Sequence, residues 1–430
     1  MPASRSHRAP TLFVLLSFEG PDEYSRAGGL GVRETELGRT LARLGHETHL
    51  FFVGDPTLPG AETGVGGRLH LHRWCQWISG YHPGGVYDGE EGKKLDWDRS
   101  IPDYVADRIV EPALKAGFRV AVLGEDWQTA DSIVALEAGL RMRGLRDRVV
   151  LTWNANNVYG NWRIDWEALN RAATVLTVSR YMKFLLWREG VNAIVVPNGI
   201  PKESIRDPGV EEVATLREAA WGEPFLFKIG RFDPDKRWLM AIEAAAILKH
   251  EGRRVRLLTR GGREPHGADV LTRARELGMK VAEIRRARSV DELGRAMAAA
   301  PQADVLNVIT FLPDELLAPI YHAADAVLAN SGHEPFGLVG LEVMAAGGLA
   351  VTGSSGEDYA EPFRNALVME TDDPHELAAM LRLIRRDGRL ATALRKNGRA
   401  TARDFTWDHV VPQLMARLEL AAARQEVAGW

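Results

Sequence analysis

Cysteine is almost absent from this 430-residue chain, Cys75 being the only one. One thiol can neither close an intramolecular disulfide nor build a cysteine-based metal centre, and a reducing, cytoplasmic setting is the expectation. Long apolar runs are missing as well. The first, at 12–16, follows a polar, basic stretch at 1–10 and is too short for a signal-peptide core or a spanning helix, so no transmembrane segment is expected. A peripheral membrane contact through an amphipathic helix at 181–187 is left open, beside the plainer reading that its apolar side packs on the core. The chain also lacks a block of one charge sign: 54 basic and 58 acidic residues are spread along it for a net charge of -4. Nucleic acid is therefore not expected as a partner. There is no exact repeat and no low-complexity tract.

What remains is a globular composition, 45% hydrophobic and 26% charged, in a chain too long for one core. Short apolar runs alternate with amphipathic helices, the pattern of parallel sheets covered on both faces. The opening unit is clearest. A strand at 12–16 leads through Gly28, Gly29 and Gly31 into a helix whose Leu37, Leu41 and Leu44 share a stripe; Gly45 ends it and 48–53 is the next strand. Strands are also predicted at 120–123, 149–153, 175–178 and 194–196. After Pro197-Asn198-Gly199 the series restarts with 225–229, 255–258, 305–308, 326–329 and 349–352. Two doubly wound Rossmann-like α/β domains facing a cleft follow, at 1–201 and 202–406, with a C-terminal helix at about 407–430 crossing back to the first. The aromatic, glycine-rich segment 71–102 reads as a long irregular loop, either a plain insertion or an acceptor-binding element.

Three segments could carry chemistry. The glycines at 28, 29 and 31 lie too far from the first strand, and at the wrong spacing, for a dinucleotide fingerprint, which disfavours NAD. They do offer backbone N–H groups at a helix N-terminus, suited to an anionic or hydroxyl-rich ligand, unless the loop is merely structural. Gly230-Arg231-Phe232-Asp233-Pro234-Asp235-Lys236 leaves a buried strand with two cations that could converge on a diphosphate, or could simply be solvated. In 330–348, Pro335 and Gly337 set a turn before an apolar helix, and Glu342 inside it needs a partner such as a ribose diol or a buried cation. The D-x-D pairs Asp96/Asp98 and Asp233/Asp235 read as chance, and Gly353-Ser354-Ser355-Gly356 does not meet the nucleophile-elbow pattern. His46, His49, His70 and His72 come without enough further ligands for a metal centre, so none is expected.

The block E-P-F-G-L-x-x-L-E-x-M-A-x-G at 334–347 resembles the E-x7-E signature of retaining GT-B glycosyltransferases, family 4, the group of glycogen and sucrose synthases and bacterial mannosyltransferases. Gly28-Gly29-Leu30, Glu125-Asp126-Trp127, Pro197-Asn198-Gly199, Gly230-Arg231 with Lys236, and Phe405-Thr406-Trp407-Asp408 are similar to that family's segments in the same order. The resemblance implies transfer of a hexose from a UDP-, GDP- or ADP-sugar to a hydroxyl acceptor, with retention and with no cofactor or metal required. It assigns Gly230, Arg231, Lys236, Phe311, Leu312, Glu334, Pro335, Phe336, Gly337, Leu338 and Glu342 to the donor, and Gly28, Gly29, Leu30, Trp127 and Asn154 to the acceptor. Catalysis falls to Arg231, Lys236, Glu334, Glu125 and Asp126, and Glu361 matches a family glutamate of weaker role. Two departures stand out: Glu125 replaces a histidine that contacts the transferred sugar, and Arg237 replaces the glycine after the clamp lysine. A nucleotide-sugar epimerase of the same architecture and a non-catalytic sugar-nucleotide binding protein are the alternatives.

Overall fold

The computed structural model describes residues 10–430. By its internal contacts the chain forms two units: one runs to Gly199 and takes in Trp407–Trp430, and the other is Ile200–Thr406.

The first unit holds eight strands: β1 (Thr11–Leu16), β2 (Glu47–Val53), β3 (Ala61–Gly64), β4 (Leu69–Trp74), β5 (Arg119–Glu125), β6 (Val149–Ala155), β7 (Thr174–Thr177) and β8 (Ile194–Val195). Their order is β3-β4-β2-β1-β5-β6-β7-β8, parallel except where β3 runs against β4. β1 is buried at every position, as a central strand covered on both faces must be. The order reverses beside β1, so the loops after β1 and β5 flank the topological switch point where α/β sheets bind ligands. Helix Trp407–Arg424 packs Trp407, Val410, Leu414 and Leu418 into this core. Arg43 holds its entry through two N–H donors to Asp408 at 2.9 and 2.7 Å.

The second unit holds β9 (Phe225–Ile229), β10 (Arg256–Arg260), β11 (Val281–Ile284), β12 (Val305–Val308), β13 (Ala326–Ala329), β14 (Ala350–Thr352) and β15 (Leu367–Val368), ordered β11-β12-β10-β9-β13-β14-β15 and wholly parallel. Its switch point lies between β9 and β13. The loops that leave those two strands are the Arg231 and Glu334 segments.

Segment 71–102 corrects the expectation of an irregular loop. Its first residues complete β4, and helix Glu90–Tyr104 occupies its second half, with Trp97 and Ile101 fully buried. The polar start of that helix hid it. Lys93 is itself buried, its ammonium donating to the Tyr24 hydroxyl at 2.8 Å and to the carbonyls of Gly85 and Val86 at 3.0 and 3.2 Å. In helix Arg180–Leu186, Met182 and Leu186 are buried, while Phe184 and the following Trp187 are exposed and meet edge to face at 4.7 Å. Among the described residues no helix is long and apolar enough to cross a membrane.

Candidate active site

In the second unit the chain leaves β9 through Gly230, whose φ of 148° suits glycine. Arg231 follows with its side chain exposed. Its backbone is fixed, because the Trp238 indole donates to the Arg231 carbonyl at 2.7 Å and Phe232 is buried against Trp238 with ring centres 4.6 Å apart. Gly261 and Gly267 leave room for the Phe232 ring; a Cβ at Gly261 would lie 1.9 Å from it. Asp233 caps the turn Pro234–Lys236 by accepting from the amide of Asp235 at 3.0 Å. That accounts for one member of the D-x-D pair structurally.

Two contacts join this loop to the one after β13. The Gly332 amide donates to the Asp235 carbonyl at 2.7 Å, and the Lys236 ammonium donates to Glu334 at 2.5 Å. His333 is exposed, 3.7 Å from Asp235. Phe336 is buried, and Gly337 has φ 77° at the N-cap of helix Leu338–Ala345, which no side chain caps. The early amides of that helix and its positive dipole end can receive an anion. Glu342 is half-buried on the same helix. Burial pushes its carboxyl up to about 7, against a stabilising 3.2 Å hydrogen bond from the Tyr321 hydroxyl. Two acceptor oxygens with one internal donor can still take hydroxyl donors.

Four neighbours carried no motif. Tyr321 is one, and Ser355 is another: its hydroxyl receives the Glu334 amide at 2.8 Å. Glu357 is buried and accepts from the Ser355 amide at 3.2 Å; burial and the charge of Glu334 push it up to about 7. The Tyr359 hydroxyl donates to the Gly337 carbonyl. The Gly353-to-Gly356 loop is therefore the floor of the turn, and a Cβ at Gly356 would meet the Glu334 carbonyl oxygen at 2.1 Å. Only their folding back through β14 reveals these contacts. Glu361 is exposed and pairs with Arg364 instead. Phe311 is 68% exposed and Leu312 buried, just beyond β12 and beside Arg260. Beneath the site, Lys228 donates to Asn330 at 2.6 Å, and burial together with the charges of Lys236 and Arg237 holds its ammonium well below the usual lysine range.

The first unit treats its predicted residues differently. The amides of Ala27, Gly28 and Gly31 all donate to one Glu19 oxygen, at 3.2, 2.9 and 3.1 Å. An internal carboxylate thus already occupies the helix N-terminus that the glycine loop was expected to offer to a ligand. Gly29 keeps open space around its Cα. Glu125, read as standing where the family contacts the sugar, is fully buried: Arg33 pairs with it at 2.8 Å, and Asn154 and Asn156 donate to its other oxygen at 2.9 and 2.7 Å. Asp126 has φ 57° and accepts from the Asn156 amide and the Asn157 side chain, both at 2.8 Å; burial pushes it up to about 7. Asn154 and Trp127 are buried too, Trp127 beneath the Arg163 guanidinium at 4.0 Å. The exposed side chains next to them are Tyr159 and Trp162, 63% and 73% exposed. Sequence reading passed over both, although two exposed aromatics after a strand end are a usable signal.

Comparison with known proteins fits this division. The sequence model of the family described as Glycosyltransferase Family 4 matches residues 27–204, and that of Glycosyl transferases group 1 matches 217–401. Each half of the chain thus matches a glycosyltransferase sequence model. A D-inositol 3-phosphate glycosyltransferase from Mycolicibacterium paratuberculosis is 31% identical over 194 residues, covering 44% of this chain and 38% of that relative. The matches to the first relatives of this kind span less than half of those proteins' length. Sucrose-phosphate synthase from Thermosynechococcus elongatus superposes with a TM-score of 0.65 at 21% identity, over 96% of this chain and 100% of that one. The catalytic domain of starch synthase IV from Arabidopsis thaliana, bound to ADP and acarbose, gives 0.66 at 16% identity, over 96% and 100%. The fold shared with these structures is GT-B, two parallel-sheet Rossmann-like domains.

Proposed function

We propose that this glycosyltransferase moves a hexose from a nucleotide diphosphate sugar to a hydroxyl acceptor with retention at the anomeric carbon. The observation that carries the reading is the tie between the two switch-point loops of the second unit. Lys236 to Glu334 and Gly332 to Asp235 bind the loop of Arg231 to the uncapped helix that carries Glu342. Arg231, Lys236 and the amides at Leu338 receive the diphosphate, and Glu342 with Tyr321 behind it receives the ribose diol. Backbone beside Phe311 and Leu312 meets the base. The ADP in the starch synthase structure is consistent with such a site.

As the bond from the anomeric carbon to the diphosphate oxygen breaks, negative charge grows on the leaving group where the two cations and the helix end stabilise it. The acceptor oxygen bonds to the same face of that carbon, and its proton passes to the departing phosphate. The cations and amides thus supply the charge stabilisation with this chain's own groups. The acceptor is recognised by the first unit. The relative's name, an inositol phosphate glycosyltransferase, makes a phosphorylated cyclitol or sugar the first acceptor to try.

Purified protein incubated with UDP-, GDP- and ADP-sugars, with and without acceptors, tests the reading. Acceptor-dependent nucleotide release with one donor is expected, and Arg231→Ala and Glu342→Ala should lower kcat/KM at least about a hundredfold, on the scale of losing one transition-state donor. Conversion of the donor without acceptor, or wild-type turnover in both variants, would refute it.

A further inference from the structure

Four side chains that spacing left apart are collected by the pairing of β2 with β4. The strands are parallel, with His49 opposite His70 and Phe51 opposite His72. Alternation then puts Glu47, His49 and Phe51 of β2 on the same face as His70 and His72 of β4. The other face, Leu50, Phe52 and Leu69, belongs to the hydrophobic core. The three imidazoles stack along this face, His49 with His70 at 4.6 Å and with His72 at 5.2 Å.

The donor atoms converge. Glu47 Oε1 lies 2.5 Å from His70 Nε2, and His49 Nδ1 lies 3.0 Å from His72 Nε2. One ligating atom each from Glu47, His49 and His70 falls within 4.8 Å of the other two. Tetrahedral zinc, with metal–nitrogen and metal–oxygen bonds of about 2.0–2.2 Å, needs donors about 3.3 Å apart, within reach of small side-chain rotations. We propose that Glu47, His49 and His70 bind one zinc-class divalent cation.

A neutral imidazole keeps one nitrogen lone pair with which to bind a metal. The Thr63 hydroxyl lies 3.2 Å from His70 Nδ1 and can accept a hydrogen bond from its N–H, which makes Nε2 the ligating nitrogen. Without metal, Glu47 and His70 Nε2 share a proton at 2.5 Å, and the cation takes that proton's place. Imidazoles plus one carboxylate, without thiolate, select Zn²⁺, Ni²⁺ or Cu²⁺ over Mg²⁺ or Ca²⁺. Glu47 and His70 are still 28% and 25% exposed, which leaves the metal a way in.

The site is structural. Glu47 is the first residue of β2 and His70 the second of β4, at the opposite strand ends from the loops after β1 and β5. The cation would cross-link β2 to β4, on which the antiparallel edge strand β3 depends.

The test is calorimetric titration of the chelator-treated full-length protein with ZnCl₂, with CoCl₂ as an optical reporter. One equivalent bound per chain is expected, with the intense visible bands of tetrahedral Co²⁺ and a zinc-dependent rise in Tm. Glu47→Gln preserves shape and should weaken zinc binding about tenfold or more; His49→Gln with His70→Gln should abolish it. The inference is overturned if the wild type binds no zinc, or if a folded double variant, judged by circular dichroism, binds it as the wild type does. Should the double variant not fold, wild-type affinity in Glu47→Gln overturns it equally.

Discussion

At the scale of single residues, Glu342 couples pH to ligand binding. Its folded value of about 7 against an ordinary 4.5 means that the native state holds the proton more tightly than the unfolded chain does. Its contribution to stability is therefore fully present below pH 4.5 and lost as pH rises through 7. Ligand binding has the opposite sign, because ribose hydroxyls donate to the ionised carboxylate. Nucleotide affinity, measured by calorimetry from pH 5.5 to 8.5, should weaken by up to about tenfold per unit below 7, and Glu342→Gln should flatten this dependence. A wild-type profile identical to that of Glu342→Gln would remove Glu342 from the ribose contact. Glu125 makes the complementary case. Its partner Arg33 is 5% exposed and also pairs with Glu34, which is fully buried. Arg33→Ala would leave two buried carboxylates without their cation and should cost about 3–5 kcal/mol in urea unfolding. Arg33→Met at no cost would mean that the buried ion pairs add nothing net to stability.

At the scale of elements, the floor beneath the donor turn is testable through one glycine. A Cβ at Gly356 would sit 2.1 and 2.2 Å from the carbonyl oxygens of Glu334 and Pro335, backbone atoms that cannot swing away. Gly356→Ala should therefore displace the Glu334 turn, costing about 1–3 kcal/mol and weakening nucleotide binding, whereas Gly388→Ala, with open space around it, should do neither. Thermal melts with and without nucleotide measure both effects. This floor was out of reach of sequence reading because its contacts join residues about twenty positions apart through β14. The same limit governs the strands. β9, β12 and β13 were legible as short apolar runs, since a parallel strand buried on both faces has no other way to read. β4 was not, because its alternate positions are His70, His72 and Trp74, and β11 was not, because it is a partly exposed edge strand. The Arg231 and Glu334 segments were legible as motifs, but Glu19, which fills the first unit's glycine loop, precedes that loop by nine residues and follows no pattern.

At the scale of the whole molecule, the chain enters its first unit twice. Residues up to Gly199 build the sheet, and only after the whole second unit does Trp407–Arg424 return to cover it. Gly199 marks where the first passage meets that return, since a Cβ there would lie 2.6 Å from the Trp407 ring. The second unit is closed by its own contacts, among them Arg399 with Asp207 and the Ile200 amide donating to the Phe405 carbonyl at 2.9 Å. The two passages carry unequal consequences for a truncation after Thr406. Loss of Trp407, Val410, Val411, Leu414 and Leu418 uncovers one side of the first core, and burying side chains of this size is worth roughly 1.5–3 kcal/mol each. That sum, about 7.5–15 kcal/mol, is comparable with the whole stability of such a domain, commonly about 5–15 kcal/mol. A chain ending at Thr406 should thus lose the first unit's cooperative melt while the second unit retains nucleotide-dependent stabilisation. Calorimetry of the truncated and full-length chains with the same nucleotide checks it. A truncated chain that keeps the first unit's melt would show that the returning helix is an accessory rather than part of that core.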